Sequence, residues 1–398
     1  MMGGVYCEVS EYSKNLVSLL VHHASTQPDA IALRHKKMGL WQKWTWEQLL
    51  ALSERYASAL REYSFQKEQL FAIISNPNVD VIAISLAVQA LGGRVQLVDQ
   101  SDDVLKTDQI IEYLSILKPD YLLIEQLVSL DALNYHPTYI FYIEENDLHH
   151  FDHEYIISLS TLFESNKTKY QSSFKSLIID DLGIAFSFHQ IEQNKQQSIH
   201  YSHESLINEA LQLVEQYQIG KDEQAFIARA FSSVGHIRYL WSAWLLAGFC
   251  LNIPETLNTR DQDRQLISPT LVLGSQATYE RVRQRILQRL PQSQTWLYQT
   301  YQHAVEQKQK QKKMHLVHRL ILALFNQVIL EELGFARLKT ALVVGHHVSK
   351  ETQLFYESLG VQLHYWGGSP DWGKTELSAH SKSNHLLSSS TLSIRKSL

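Results

Sequence analysis

The stretch LFAIISNPNVDVIAISLAVQALGGRVQLVD, residues 70–99, decides the fold class. It opens with a short apolar run, Leu70–Ser75, whose length and bounding turn residues are typical of a buried strand. Asn76-Pro77-Asn78 then turns the chain into an apolar helix that ends near Gly92-Gly93. A second apolar run, Arg94–Asp99, follows at once. A strand, a helix and a strand in this order predict one βαβ unit of a parallel sheet.

The same alternation of strand-like and helical runs continues on both sides of this unit. Thr45 and Gln48 form a T-x-x-Q capping box, which predicts the start of a helix. Further strands are predicted near residues 121–125, 138–144, 184–188, 270–274 and 340–344, and further helices from His203, across 241–246 and between Ser349 and Gly360. The chain is therefore predicted to be an α/β protein with largely parallel sheets.

A polar stretch, Glu144–Lys175, separates the two halves of this pattern. We therefore expect two layered α/β subdomains, residues 1–175 and residues 176–380. The tail, residues 381–398, is rich in serine and lacks hydrophobic periodicity. Such a composition predicts disorder, because the segment has too little apolar surface to bury.

Composition narrows the class of partner and the compartment. The chain has 398 residues, of which 44% are hydrophobic, and a net charge of −5 that offers no basic field to nucleic acid. Its two cysteines, Cys7 and Cys250, lie far apart and predict neither a disulfide framework nor a cysteine zinc site. The N-terminal segment is unlike a secretory signal, and the longest apolar stretch, Tyr239–Pro254, is shorter than a bilayer span. The expected location is the cytoplasm.

A helix with an apolar face is predicted over residues 316–329. Its apolar residues recur every four positions in two neighbouring rows, namely Leu316, Leu320, Leu324 and Val328, with Val317, Ile321, Phe325 and Ile329 beside them. A core-facing helix is the favoured interpretation, because helices of globular proteins bury such a face. The basic segment Lys308–Lys313 just before it supports an alternative, a peripheral contact with an anionic surface such as the inner membrane.

Several segments resemble long-chain acyl-CoA synthetases, which belong to the adenylate-forming (AMP-binding) superfamily. The longest are PDAIALRHKKMGLWQKWTWEQLLALSERYASALREY, Pro28–Tyr63, and residues 73–99. Shorter landmarks follow in the order of the family, namely VGHIRYLW around His236, the turn at Gly248, PTLVLGSQATYE from Pro269 to Glu280 and ALVVGHHVSKE from Ala341 to Glu351. The resemblance covers most of the chain to residue 380 and implies the large-domain fold of adenylate-forming enzymes.

Such enzymes transfer AMP from Mg-ATP to a carboxylate and then pass the acyl group to a thiol. The resemblance therefore implies ATP or AMP with Mg²⁺ as cofactors, and a fatty acid and coenzyme A as partners. It also implies a small C-terminal domain that delivers a catalytic lysine. The sequence stops at Leu398, so this small domain is expected to be absent here.

The phosphate-binding loop of the family departs most from its pattern here. Phosphates need backbone N–H groups brought close together, and the family supplies them from a Gly/Ser/Thr-rich loop that ends in Pro-Lys-Gly. The flanks match, since Asp180-Asp181 opens a strand and Ser202-His203 starts a helix. The expected loop, SFHQIEQNKQQ from Ser187 to Gln197, contains no glycine. Lys195 falls near the position of the family's loop lysine and is the candidate catalytic contact to phosphate, although a solvated loop lysine is the favoured alternative.

The adenine-contacting element of the family aligns on VGHHVS, Val344–Ser349. Gly345 keeps the second of the two family glycines. His346 and His347 stand beside the expected adenine plane, where they could stack on a base, although a plain surface position is the favoured alternative. The resemblance therefore assigns Gly345 and His346 to cofactor binding.

A Tyr-Gly-x-Thr-Glu motif usually follows, in which the threonine contacts phosphate and the glutamate helps to hold Mg²⁺. The run Trp372-Gly373-Lys374-Thr375-Glu376 fits it, with tryptophan for tyrosine. This alignment assigns Trp372 and Gly373 to cofactor binding, Thr375 and Glu376 to catalysis, and Glu376 also to the metal. The alternative alignment places Tyr365-Trp366-Gly367-Gly368 there and keeps neither threonine nor glutamate.

Two further residues match single family positions. His236 corresponds to a histidine near the acyl tunnel and is the candidate substrate contact, with a packed core histidine as the alternative. Glu280 also matches, whereas Gln276-Ala277 replaces an expected Pro-Arg pair.

One cluster lies outside the resemblance. The run DLHHFDHE contains His149, His150, Asp152, His153 and Glu154. Such a density of ligand types can hold Zn²⁺ or Ni²⁺. A polar loop is nevertheless the favoured interpretation, because ligands in a short unpatterned segment rarely converge.

These observations leave three hypotheses for function. The first is an AMP-dependent synthetase or ligase, related to long-chain fatty acid–CoA ligases, with impaired or absent activity. The second is a non-catalytic binding or regulatory pseudoenzyme, and the third is a truncated remnant. The glycine-free loop favours the second and third, because a lost phosphate cradle costs several powers of ten in rate. The retained strand pattern favours a chain that still folds.

Overall fold

The computed structural model describes residues 15–98, 107–125, 133–143, 154–163, 173–176, 182–192, 195–227, 234–256, 258–289, 295–309 and 316–366. The chain divides into two compact units. Unit 1 comprises Met1–Leu273 and Leu330–Lys339, and unit 2 comprises Gly274–Ile329 and Thr340–Leu398.

Strands and helices alternate along the described chain. The strands are β1 (Ile31–Lys37), β2 (Leu40–Thr45), β3 (Leu70–Ile74), β4 (Arg94–Val98), β5 (Tyr121–Ile124), β6 (Tyr139–Tyr142), β7 (Ile156–Ser158), β8 (Ile184–Glu192), β9 (Lys195–Ser202), β10 (Gln224–Phe226), β11 (Cys250–Ile253), β12 (Leu271–Ser275), β13 (Thr340–Val344) and β14 (Leu363–Trp366). The helices are α1 (Leu16–Thr26), α2 (Trp46–Glu62), α3 (Val79–Ala90), α4 (Thr107–Leu117), α5 (His203–Tyr217), α6 (Ser242–Ala247), α7 (Arg260–Ile267), α8 (Gln276–Arg289), α9 (Trp296–Gln309), α10 (Leu316–Leu333) and α11 (Lys350–Leu359). A π-helical turn, His236–Trp241, precedes α6.

The first sheet of unit 1 has the strand order β7-β6-β5-β3-β4-β8-β9. All of its pairs are parallel except β8 with β9, which is antiparallel. The predicted βαβ unit is confirmed, since β3 and β4 pair from Leu70↔Arg94 to Ile74↔Val98. The predicted subdomain boundary, between residues 175 and 176, lies inside unit 1, whose first sheet takes strands from both sides of it.

Helix α3 crosses between these two strands. Asn78 begins it by accepting a hydrogen bond from the Val81 N–H at 2.9 Å. Every residue of the helix except Asp80 is buried. A helix that is apolar all round must be covered on every side, so α3 lies in the interior of unit 1.

The second sheet of unit 1 runs β12-β10-β11-β1-β2. The pairs β12–β10, β10–β11 and β11–β1 are parallel, and β2 adds an antiparallel edge strand. The turn between β1 and β2 places Met38 and Gly39 at φ values of 51° and 75°. Two successive left-handed residues are typical of a tight hairpin, because their twist matches that of the strands.

Helices α1, α2 and α6 meet around Trp46. Its side chain is 0% exposed, and its ring packs against Trp244 at a centroid distance of 5.2 Å and against His23 at 4.5 Å. The indole N–H of Trp244 donates to the Ala32 carbonyl at 2.9 Å. The predicted capping box that starts α2 is confirmed, since Thr45 and Gln48 exchange hydrogen bonds of 3.0 and 3.2 Å.

Unit 2 is built on the parallel pair β13–β14, with a register from Ala341↔Leu363 to Val344↔Trp366. The Tyr279 hydroxyl donates to the Leu342 carbonyl at 3.1 Å, which ties α8 to β13. The predicted cap of α11 is confirmed, because Ser349 accepts from Thr352 and Gly360 ends the helix with a φ of +87°.

The predicted orientation of α10 is wrong for one of its rows. Leu320, Leu324 and Val328 are exposed by 62, 62 and 59%. Leu322 and Ile329 are buried instead, and Phe325 stacks on Tyr301 at 4.8 Å. The helix is apolar on more than one side, so the period of four could not indicate which row faces the core. Among the described residues, no helix has the length and apolar character needed to cross a membrane.

Candidate functional site

The expected phosphate loop is a β-hairpin. Strands β8 and β9 pair continuously from Phe186↔Tyr201, through Ser187↔His200, to Glu192↔Lys195. All the described residues of the segment 187–197 are in strand conformation. The sequence-based prediction of a loop from Ser187 to Gln197 is therefore wrong. Without glycine, the chain lacks the residue that takes left-handed conformations at no steric cost, and its described residues pair their backbone groups across the two strands instead.

Lys195 begins β9, with its backbone opposite Glu192 at the end of the hairpin. At the other end of the hairpin, the buried Ser187 hydroxyl and the Nδ1 atom of His200 share a hydrogen bond of 2.9 Å. Burial lowers the pKa of His200, and the charge of Arg94 lowers it further. The imidazole is therefore neutral at neutral pH. No sequence pattern signals this pair, since the two residues are thirteen positions apart.

His236 lies in the π-helical turn and is only 1% exposed. A π-helical turn carries one more residue per hydrogen-bonded ring than an α-helix, and such turns are frequent at functional sites. Ser242 closes the turn by donating its hydroxyl to the Ile237 carbonyl at 2.9 Å. The geometry therefore holds His236 inside unit 1.

The π-helical turn contacts the hairpin through aromatic rings. Trp241 meets Phe186 of β8 edge to face at 5.6 Å, and the guanidinium of Arg238 lies 5.0 Å from the ring of Tyr201 in β9. Arg238 also donates two hydrogen bonds to Glu209, one of them at 2.8 Å from Nε. Burial alone would lower the pKa of Arg238, but the contacts with Glu209 raise it above its usual value. The structure thus brings the turn that carries His236 beside the hairpin that carries Lys195.

The predicted adenine-contacting residues lie in unit 2, just after β13. Gly345 takes a φ of +88°, which explains the glycine at this position. His346 and His347 are both exposed. The ring of His347, rather than that of His346, lies against an aromatic partner, Tyr365 of β14, at 4.0 Å.

Glu280 has a structural partner at the start of α11. Its carboxylate accepts from the Ser349 N–H at 3.0 Å and from the Gln276 amide at 3.1 Å. The hydrogen bonds from Ser349 and Gln276 lower the pKa of Glu280. An anionic acceptor at a helix N-terminus stabilises the exposed N–H groups there.

Several predicted site residues lie outside the described residues. They are Trp372, Gly373, Thr375 and Glu376, and also His149, His150, Asp152 and His153 of the histidine-rich run. The alternative motif is described only at Tyr365 and Trp366, which end β14. Within the described part of the chain, no group of three or more His, Cys, Asp or Glu side chains is placed to hold a metal ion.

Comparison with known proteins identifies a family over part of the chain. Residues 20–138 match the family model of AMP-binding enzymes. This range contains α2 and the βαβ unit. No curated protein matches the sequence.

Solved structures of low sequence identity share the fold. The A domain of carboxylic acid reductase from Segniliparus rugosus, solved in complex with AMP and a co-purified carboxylic acid, matches with a TM-score of 0.66 and 14% identity, over 92% of this chain and 62% of that one. The fatty acid AMP ligase from Legionella pneumophila matches with a TM-score of 0.60 and 13% identity, over 88% of this chain and 53% of that one. MatB from Rhodopseudomonas palustris matches with a TM-score of 0.64 and 12% identity, over 90% of this chain and 60% of that one.

The chain thus spans less than two thirds of each of these three proteins. At such identities the structural likeness concerns the fold, which is the large-domain fold of adenylate-forming enzymes. Residues 20–138 thus match the model of AMP-binding enzymes, and the chain shares the large-domain fold of adenylate-forming enzymes.

Proposed function

We propose that this chain is an AMP-dependent ligase-like protein, related to long-chain fatty acid–CoA ligases, whose carboxylate adenylation activity is lost or strongly reduced. In this proposal it acts as a binding or regulatory module. The observation that carries the proposal is the β8–β9 hairpin, which stands where an enzyme of the family needs a phosphate cradle.

The reason is the direction of the backbone N–H groups. A phosphate nest needs successive N–H groups that converge on one point, which requires alternating right-handed and left-handed residues. In an extended strand, successive N–H groups point to opposite sides. Those of β8 and β9 that point into the hairpin already bond across the pair from Phe186↔Tyr201 to Glu192↔Lys195. The described strands of the hairpin therefore cannot cradle a triphosphate without breaking their own ladder.

ATP with Mg²⁺ does not fit the described residues for this reason. The only predicted Mg²⁺ ligand, Glu376, lies outside them, and Lys195 alone would offer a point charge without a nest. We therefore derive no reaction step through ATP. The loss of one preorganised hydrogen-bond donor to the charge that develops in a transition state costs about 10²- to 10³-fold in rate.

The carboxylate is the ligand class that this proposal retains. The A domain from Segniliparus rugosus was solved with AMP and a co-purified carboxylic acid bound to it. By analogy with such proteins, we propose that a fatty acid contacts His236 and that an adenine contacts Gly345 and His346. Trp372, Gly373, Thr375, Glu376 and coenzyme A keep the roles that the family resemblance implies.

Pyrophosphate exchange tests the proposal directly. Purified protein is incubated with ATP, Mg²⁺, labelled pyrophosphate and a panel of fatty acids. We expect no exchange above a control without protein. Exchange well above that control, with any acid of the panel, would overturn the proposal.

A loop replacement then locates the loss. Residues 189–196 are replaced by a Gly/Ser/Thr-rich loop that ends in Pro-Lys-Gly, and a matched control receives the same residues in a scrambled order. If the rest of the site is competent, the first variant gains ATP-dependent exchange and the control does not. If neither gains it, the loss extends beyond the hairpin.

A second proposal, independent of catalysis, is a peripheral contact of α10 with an anionic membrane. The observation that favours it is the exposed row of Leu320, Leu324 and Val328, which are 59 to 62% exposed. Arg319, beside this row, is exposed as well, and the sequence has no acidic residue from 307 to 330. Apolar side chains flanked by cations suit a surface of anionic lipid headgroups.

Sedimentation with vesicles tests the membrane proposal. We expect binding to vesicles that contain phosphatidylglycerol, weaker binding at higher salt, and loss of binding when the three row residues are changed to serine. Leu266→Ser is the matched control, because Leu266 is 67% exposed on α7 and lies outside the row. Equal binding of the triple variant and the control would exclude the contact.

A further inference from the structure

A cavity of about 1010 Å³ opens at the amino end of the first sheet of unit 1. Its wall contains the end of α2, the turns before β3 and β4, the start of β8 and the first residue of α5. The charged side chains that line it are Arg61, Lys67, Glu68 and Arg94. Its volume is at the upper end of the range for small-molecule sites.

The cavity is separate from the hairpin end discussed above. It touches β8 at Ile184, whereas Glu192 lies at the opposite end of β8, paired with Lys195 of β9. β8 has nine residues, so its first and last residues are about 26 Å apart at roughly 3.3 Å per residue step. A ligand in this cavity would not occupy the nucleotide site expected from the family.

The charge in the cavity is unbalanced. Three cations face one carboxylate, and none of the four forms an ion pair with any residue in the described part of the chain. Cations that share a concave wall without partners attract anions, because their fields add in a space where water is restricted. The positive charge of Arg94 also acts on a neighbouring group, because it contributes to lowering the pKa of His200.

The wall that presents these cations is held in place. Arg94 donates from Nε to the Glu68 carbonyl at 3.1 Å, and its terminal nitrogens have no hydrogen-bond partner among the described residues. The stem of Lys67 lies over Gly92, where its Cγ is 2.9 Å from the place a Cβ would take. Gln89, which is 0% exposed, donates to the Ala185 carbonyl at 3.3 Å and ties α3 to β8.

We propose that this cavity binds a small phosphate-bearing metabolite, whose phosphate lies among Arg61, Lys67 and Arg94. Guanidinium groups pair with phosphate and carboxylate oxygens alike. Three cations in one wall favour phosphate, which carries about two negative charges, over a single carboxylate. The cavity is far larger than one phosphate ion, so an organic part fits beside it. Leu182, which is 72% exposed and lines the cavity, gives that part an apolar surface.

Ribose 5-phosphate is a suitable probe, because it combines one phosphate with a small organic part. Its ³¹P NMR signal is followed while purified full-length protein is added, and free ribose serves as the uncharged comparison. We expect ribose 5-phosphate to bind and to bind less tightly as salt rises from about 50 to about 300 mM. Free ribose, followed by its proton signals, should not bind.

Two variants with opposite expected signs make the test sharp. The double variant R61Q/R94Q removes the paired donors and should raise the dissociation constant at least about tenfold. E68Q removes the one carboxylate among the described residues of the wall and should lower the dissociation constant by about two- to threefold. Lys221→Gln is the matched control, because Lys221 is exposed, lies outside the cavity and should leave the constant unchanged.

The proposal is overturned if the wild-type protein does not bind the probe, or if R61Q/R94Q binds it as the control does. Binding of inorganic phosphate as tight as that of ribose 5-phosphate would overturn the organic part of the proposal. Circular dichroism confirms that each variant is folded. If the double variant is not, Lys67→Gln replaces it, with an expected loss of about threefold.

Discussion

The helices around Trp46 and the β8–β9 hairpin belong to the same unit, yet different interactions hold them. Around Trp46, packed rings join the helices α1, α2 and α6. A buried indole hydrogen bond from Trp244 ties α6 to β1. The hairpin is held by its own backbone ladder, by the pairing of β8 with β4 and by ring contacts with the π-helical turn. A ladder tolerates many side chains, whereas a packed core tolerates few. Substitutions of side chains in the hairpin should therefore destabilise the fold less than substitutions around Trp46.

The largest expected effect in this comparison is that of Trp46→Ala. The side chain is completely buried, so its removal leaves a cavity and should lower the free energy of unfolding by about 3–5 kcal/mol. Urea unfolding followed by circular dichroism measures the change. Trp296→Ala is the matched control, since Trp296 is 71% exposed and should change the free energy by less than about 0.5 kcal/mol. Equal effects would contradict the contrast between core and surface.

The second prediction concerns pH. Burial lowers the pKa of His23 from 6.5 to about 4, although the hydrogen bond to the Leu245 carbonyl opposes this shift. The unfolded chain therefore takes up a proton before the folded chain does, and stability falls as the pH drops from about 6.5 to about 4. Between about pH 7 and about pH 5, this group should cost about 2 kcal/mol.

His23→Gln should remove that part of the pH dependence, and His22→Gln should leave it in place. The difference between the two variants is the quantity to compare, because burial also lowers the pKa of His35 to about 4 and adds a slope of its own. If the free energy of unfolding depends on pH with the same slope in both variants, His23 does not titrate as expected.

A smaller effect is expected at the start of α2. Thr45→Ala removes the hydroxyl that accepts from the Gln48 N–H and should cost about 1 kcal/mol. Thr45→Ser keeps the hydroxyl and should cost only a few tenths of that amount. A comparison of the thermal unfolding of the two variants measures how much the capping hydrogen bond contributes to stability.

The smallest effect is expected in the hairpin. His200→Ala removes the partner of the Ser187 hydroxyl, but water can replace a partner that is half-exposed, so we expect a loss of about 0.5 kcal/mol. A loss above about 2 kcal/mol in urea unfolding would mean that the hairpin supports the fold as strongly as the packed helices do.

Local signals in the sequence were sufficient for much of the fold. The capping box at Thr45 and Gln48, the asparagine that begins α3 and the glycine that ends α11 each act within a few residues. The strands β3, β4 and β13 stood out because they are short apolar runs between turn residues. Such signals predict where an element begins and ends.

Contacts between residues that are distant in sequence were not predictable in this way. The apolar rows of α10 look alike in sequence, and the stacking of Phe325 on Tyr301 joins residues of two different helices. The hairpin was missed because its second half is rich in glutamine and has no strand pattern of its own. The β1–β2 hairpin was also missed, although Met38-Gly39 between alternating residues was a usable signal.

The candidate site was predictable only as far as its position along the chain. Resemblance located Lys195, His236, Gly345 and His346, and the structure adds that the turn of His236 contacts the hairpin. It also shows that His347 is the histidine with a ring partner. Neither contact could be inferred from spacing, because each joins elements that are separate in sequence.

The π-helical turn at His236–Trp241 has a consequence for the phase of the helix that follows. Each residue of an α-helix advances the chain by about 100° around the axis. The π-helical turn holds one extra residue, so the residues before it are rotated by about 100° around the helix axis relative to α6. His236 stands before this offset and is buried, so the deletion of a single residue between it and Ser242 should turn its side chain by about 100° relative to α6.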